Sequence, residues 1–276
     1  MMMIERYDLL ICLQGIAESR QALDYGLYLA EILRRPTTLL GVGGRAPTPE
    51  GIDAQIEEGV ERLSRLGLPY DVQRMAGPLA QAVPFMTRAK PYMTIYNAPP
   101  LEFWRRLAEG GRFRRLLVDA EGPILRVRNV CRPLTHALVC SGGLSYADPL
   151  ERIGAELARA AGARLTLLHV VPRVTLDYPL AQRLAHDWQH LLETDTPQAR
   201  HLTAALAQAQ ELGVETELRV RHGPVVDEIL DEVNSGDYDL VGLGSPYASH
   251  NLRHLYRPNV TASVAEEVAC PVLTVH

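Results

Sequence analysis

Two doubly wound α/β domains of parallel sheet, joined as an intrachain pseudo-dimer, are the fold class this sequence predicts. Three observations carry that expectation. The chain is internally duplicated: residues 8–42 align without a gap on residues 136–170 at an offset of 128, placing Cys12 on Cys140, Ala30 on Ala158, Leu39-Leu40 on Leu167-Leu168 and Val42 on Val170. The correspondence resumes at an offset of 146, where Leu66-Gly67 and Gly77-Pro78 match Leu212-Gly213 and Gly223-Pro224, and at 148, where Pro123-Ile124-Leu125 matches Pro271-Val272-Leu273. Apolar β-type runs alternate with helical periodicity, the pattern of a sheet whose strands are covered on both faces. A repeat this long is a whole domain rather than a solenoid unit, so domains are expected over 4–128 and 134–276, linked by Arg128–Pro133.

The second copy shows its elements most clearly. Ala137–Cys140 is a short apolar strand ending in the turn Ser141-Gly142-Gly143. Leu150, Ile153, Leu157 and Ala161 recur at helical spacing, and Gly162 stands where a helix ends in a left-handed residue. Leu165–Val171 reads as a strand buried on both sides, stopped by Pro172. A helix follows near 197–212, ended by Gly213, then a strand over Val214–Val220. Gly223-Pro224 opens a helix over Val225–Asn234 with proline in its first turn. Asp239–Leu243 is a strand, 245–258 a loop, 259–269 a helix and Val272–Val275 a last strand. The segments Pro123–Arg128 and Pro271–His276 alternate apolar and polar residues, which predicts sheet-edge strands with one wet face. Pairing of those two edges would join the copies.

Composition bounds the function. The 276 residues are 47% hydrophobic and 22% charged with a net charge of −5, a globular chain without the basic excess of a nucleic-acid binder. No apolar run reaches the roughly 20 residues of a membrane helix, and the N-terminus lacks a signal-peptide pattern, so a cytoplasmic location is expected. The four cysteines form no spaced metal set; buried reduced thiols are expected. Lys90 is the single lysine among 28 basic residues, an arginine bias that suggests a GC-rich bacterial genome.

The segments LARAAGARLTLLHVV, ELGVETELRVRHGPVVDEIL, DYDLVGLGS and NVTASVAEEVACPVLTV, in this order, resemble the universal stress protein family. The pattern covers nearly the whole chain twice, as in a tandem member with two Rossmann-like domains. The resemblance implies a stress-response role in ligand sensing or protein interaction, without turnover. Many members bind ATP through a loop of the form Gly-x2-Gly-x9-Gly-Ser/Thr. Glycines there let main-chain N–H groups approach phosphate, and the next helix adds its N-terminal partial charge.

Both copies depart from that loop. In the second, Gly244 is kept, but Tyr247 stands at the second glycine, Pro258-Asn259 replace Gly-Ser, and the segment is one residue too long. Pro258 has no N–H to donate, and the family's strand-end Asp is replaced by Ser141 or Gly142. In the first, Asn97, Pro100 and Gly110-Gly111 hold the loop positions and Gln14 replaces the Asp. The ligand positions the resemblance assigns are Ser141, Gly142, Val170, Leu243, Gly244, Tyr247, Pro258, Asn259 and Val260, with Gln14, Asn97, Gly110 and Gly111 in the first copy. No cofactor is assigned; ATP is a candidate that the eroded loops disfavour. The partner is an unidentified small molecule or protein, and the oligomer is either the pseudo-dimer alone or a homodimer of four domains.

Other patterns read as ordinary surface. His186 and His190, like His250 and His254, lie four apart, the spacing that begins a zinc site, with His201 or Glu193 as candidate third ligands; exposed helix faces are the expectation, and no metal is assigned. His250, His254, Arg253 and Arg257 could hold an anion through side chains. Eight arginines between 101 and 132 read as a solvated face, and Asp227, Glu228, Asp231 and Glu232 as an acidic helix face. Ser141 lacks the flanking pattern of a nucleophile elbow. Three alternatives stay open: a member retaining ATP or adenylate affinity in domain 2, a slow ATP hydrolase or histidine-based hydrolase, and a scaffold whose pocket Tyr247 fills.

Overall fold

The computed structural model describes residues 3–43, 50–97, 119–128, 133–172, 188–244 and 260–275. Contacts divide the chain into Met1–Arg132 with Ala269–Leu273, and Pro133–Val268 with Thr274–His276. The first unit runs β1 (Asp8–Leu13), α1 (Ser19–Leu33), β2 (Thr37–Gly43), α2 (Glu50–Arg65), β3 (Tyr70–Ala76), α3 (Leu79–Ala89), β4 (Tyr92–Asn97) and β5 (Ile124–Val127). The second runs β6 (His136–Ser141), α4 (Asp148–Ala161), β7 (Arg164–Pro172), α5 (Pro197–Glu211), β8 (Thr216–Gly223), α6 (Val225–Ser235), β9 (Leu240–Gly244) and α7 (Val260–Glu267); β10 (Val272–Val275) is the last strand of the chain.

The strand order is β3-β2-β1-β4-β5 in the first unit and β8-β7-β6-β9 in the second. All these neighbours pair in parallel, with Leu9 opposite Thr37 and Met93, and Ala137 opposite Leu165 and Leu240. The chain steps outward from β1 to β3, then returns to the other side of β1, and repeats this around β6. That reversal places a switch point at the carboxyl ends of β1 and β4, and of β6 and β9, where open α/β sheets take ligands.

The duplication extends to single contacts. Gly26 of α1 lies so close to Ile11 that a Cβ would fall 2.6 Å from its Cδ1; Gly154 of α4 would meet Val139 Cγ2 at 2.5 Å. These are matching residues at the offset of 128. Helix α4 ends at Gly162 in the left-handed conformation (φ 67°), whose N–H closes on Ala158 and Arg159 carbonyls. The matching residue of α1 is Arg34, left-handed at φ 54°, a conformation that costs a residue bearing Cβ roughly 1 kcal/mol. The inner strands β1, β4 and most of β2, β6 and β7 are buried along their length, whereas the outer strands β3 and β8 are largely exposed or half-buried.

Several expectations need correction. The alternating strands β5 and β10 have no wet face: every residue is buried, with Arg126 3% and Thr274 4% exposed. Arg126 lies opposite Tyr96 on the sheet; its apolar stem can pack while its charge faces the phenol, which burial pushes up and Arg126 pulls back down. Pro224 precedes α6 in an extended conformation (ψ 122°) instead of occupying its first turn. Strand β8 starts at Thr216, two residues late, because the N–H groups of Leu212, Gly213 and Val214 still close the end of α5. Cys12 is buried, but Cys140 and Cys270 are only partly so.

Candidate functional site

The carboxyl end of β6 is where the second unit gathers its polar side chains. β6 ends at Ser141, and the next two residues turn away. Gly143 has φ 72°, which the left-handed turn demands, and a Cβ there would sit 2.7 Å from His169 Cε1. The buried His169 therefore packs its imidazole directly against the turn. Its Nδ1 is 3.0 Å from the Ser141 carbonyl, which requires Nδ1 to carry the proton and leaves Nε2 as acceptor. Burial lowers the His169 pKa, opposed by the bond to Ser141 and reinforced by the charge of His201. On the other side, the ring of Tyr146 stands where a Cβ on the exposed Gly142 would point, and its hydroxyl donates to the Gly142 carbonyl at 3.3 Å.

Ser141 is engaged on both its polar functions. Its Oγ donates to Glu151 and accepts the Gly143 N–H at 3.0 Å. Glu151, on the first turns of α4, is 6% exposed, and His201 of α5 places Nε2 3.0 Å from both carboxylate oxygens. Asp148 Oδ1 stands 3.5 Å from His201 Nδ1. Asp148, Glu151 and His201 each bring a ligand-type atom within 4.8 Å of the others. The i, i+3 spacing of the two acids puts them on one face of α4; nothing in the sequence places His201 opposite them, because that requires α5 to pack on α4.

At β9, Leu243 is buried and Gly244 is half-buried, with no atom of the described residues within 4 Å of where a Cβ would stand. Thr261, at the start of α7, donates its hydroxyl to the Gly244 carbonyl at 2.6 Å, so the helix following the loop is tied to the strand that precedes it. Val260 is half-buried beside it, and Val170 is buried in β7. Tyr247, Pro258, Asn259, Gly110, Gly111, His250, His254 and His186 lie outside the described residues.

In the first unit Gln14 follows β1 and is half-buried. The turn after it presses backbone on backbone: a Cβ on Gly51 would fall 2.4 Å from the Gly15 carbonyl oxygen, so the start of α2 closes down on this strand end. Asn97, the last residue of β4, is 2% exposed, and neither amide atom has a hydrogen-bond partner among the described residues. Ser19 Oγ bonds Gln55 Oε1 and the Ile16 carbonyl, both at 2.8 Å, which links α1 to α2.

Two side-chain roles differ from expectation. His201, a candidate third ligand for the His186–His190 pair, turns to α4, while His190 lies on the exposed surface facing Glu193 at 3.3 Å. Glu232 is no surface acid: its carboxylate, 1% exposed, accepts from Arg219 (2.6 Å), Arg221 (2.8 Å) and Tyr238 (2.6 Å). Burial alone would raise its pKa, but those three donors together lower it. The arginines at 219 and 221 share one face of β8 under α6, a relation that spacing within the helix does not reveal.

The profile of the universal stress protein family matches residues 134–276. Three solved structures share the fold over 99% of this chain: a universal stress protein from Archaeoglobus fulgidus (13% identity, 97% of that chain, TM-score 0.68), a protein from Pseudomonas aeruginosa UCBPP-PA14 described as a universal stress protein (17%, 94%, 0.73) and a functionally unknown protein from Pseudomonas aeruginosa PAO1 (17%, 93%, 0.70). No curated protein matches the chain in sequence. Among the described residues no helix is long and apolar enough to cross a membrane. With its second half matched throughout, the chain belongs to the universal stress protein family.

Proposed function

We propose that this protein serves the stress response as a sensor of a ligand or protein partner, without turnover, and that its nucleotide-binding loops have decayed. One observation carries the reading. At the strand end where the family's Asp stands, Ser141 is committed to Glu151 and to the Gly143 N–H, Tyr146 stands against one side of exposed Gly142, and His169 packs on buried Gly143. A nucleotide would find no carboxylate on the strand end itself, and the side of each glycine where a Cβ would point is already taken. The loop substitutions Tyr247 and Pro258 act in the same direction.

A second reading, residual adenylate binding in the second domain, is favoured by the retained Gly244, whose Cβ position no other described residue approaches within 4 Å. Thermal denaturation with ATP and magnesium separates the two. A ligand that binds only the folded state at 100 times its Kd adds about 2.7 kcal/mol. The sensor reading expects no rise in melting temperature at millimolar ATP; a saturable rise replaces it with the adenylate reading. Mass spectrometry of small molecules released on denaturation identifies any resident ligand.

A further inference from the structure

We infer that Asp148, Glu151 and His201 form a binding site for a divalent transition-metal ion of the Zn2+ type. Charge counting comes first. Glu151 is 6% exposed, and among the described residues neither it nor Asp148 meets a lysine or arginine; His201 alone faces them. A single imidazolium balances one of two carboxylates. A divalent cation bound to neutral imidazole balances both, and a buried carboxylate requires such compensation.

Geometry agrees. Zn2+ holds nitrogen and oxygen ligands at about 2.0–2.2 Å, so neighbouring ligand atoms stand roughly 3.0–3.5 Å apart. His201 Nε2 and the Glu151 oxygens are 3.0 Å apart. Asp148 Oδ1 lies 3.5 Å from Nδ1, the imidazole nitrogen that does not face Glu151, but its half-exposed side chain keeps a ligand atom within 4.8 Å of those of the other two. Rotation of the Asp148 side chain toward the Nε2 side brings it in as third ligand. Ser141 Oγ donates to Glu151 and fixes that carboxylate, the outer-shell support that metal ligands use. An imidazole nitrogen with two carboxylate oxygens suits Zn2+, Fe2+ or Mn2+.

The first unit is an internal control. At the offsets of 128 and 146, Arg20, Leu23 and Gln55 stand where Asp148, Glu151 and His201 stand. The buried part of the same helix joint is closed there by the neutral Ser19–Gln55 bond, with the ion pairs Arg20–Glu58 and Arg62–Asp24 on its more exposed side. The fold does not demand a buried carboxylate at this joint.

The test uses the full chain stripped of metal and titrated with CoCl2 or ZnCl2. The expected result is one equivalent of Co2+ with visible d–d absorption, and a Zn2+-dependent rise in melting temperature. His201→Gln, the residue native to position 55, is expected to weaken binding about tenfold or more, whereas His190→Gln leaves it unchanged. Asp148→Asn, on a half-exposed side chain, gives the same loss should the first variant fold poorly. Absence of binding at millimolar Co2+ and Zn2+, or wild-type affinity in both site variants, overturns the inference. A nucleotide-dependent shift with no metal site, or the reverse, keeps this test separate from that of the proposed function.

Discussion

The two units build the same joints from different chemistry. Between the sheet's outer strand and the helix that follows it, the second unit sets Arg221 of β8 against Glu232 of α6. The matching residues of the first unit are Met75 and Met86, which both pack on a core of Leu10, Leu40, Val83 and Tyr96. Between the first two helices, the second unit uses Glu151 and His201, the first Ser19 and Gln55. A joint that accepts either apolar or ionic residues is required by topology, not by its particular bonds. Where the ionic version persists in a buried place, it asks for a reason beyond folding.

The largest effect expected from this contrast is at Glu232. Glu232→Met strands two arginines and the Tyr238 hydroxyl, and should cost about 2–3 kcal/mol in urea unfolding at pH 7, the lower end of a broken buried pair because both arginines can turn to water. The double variant Arg221→Met with Glu232→Met, which copies the first unit, should recover much of that loss. Because the folded pKa of Glu232 lies below its unfolded value near 4.3, its contribution is complete above that value. It is lost as pH falls through the lowered folded pKa, so the cost of the single variant should shrink in acid. The exposed pair Arg74–Asp53 of the first unit predicts less than about 0.5 kcal/mol for Asp53→Ala.

Next is the serine comparison. Ser141→Ala removes a donor from a buried carboxylate and should cost about 2 kcal/mol, against about 1 kcal/mol for Ser19→Ala, whose partners are neutral. Equal costs would mean that Glu151 is no more dependent on its donor than Gln55.

A smaller asymmetry follows from histidine, which occurs only in the second half. The lowered pKa of His169 means that its contribution is complete above the unfolded value near 6.5 and falls away as pH drops toward and through the folded value. His169→Asn should flatten this part of the stability profile between pH 8 and 5, and imidazole NMR should show His169 neutral at pH 6.5.

The smallest effect is at the helix ends. Arg34→Gly should stabilise the protein by about 0.5–1 kcal/mol, and Gly162→Ala should destabilise it by a similar amount, since both positions are left-handed. Destabilisation by Arg34→Gly would show that the arginine side chain, not its backbone, matters there.

Sequence by itself determined the repeated order of strands and helices and the buried inner strands, because periodicity and helix punctuation are local properties of the chain. The strand-end position of Ser141 was legible for the same reason. Tertiary structure alone decided that His201 meets Glu151, that Glu232 gathers two arginines and a tyrosine, and that Arg126 is buried in a strand whose alternation promised a wet face. Each of these depends on which helix or strand packs against which, and a side chain's partner across a packing interface leaves no trace in the spacing along its own element.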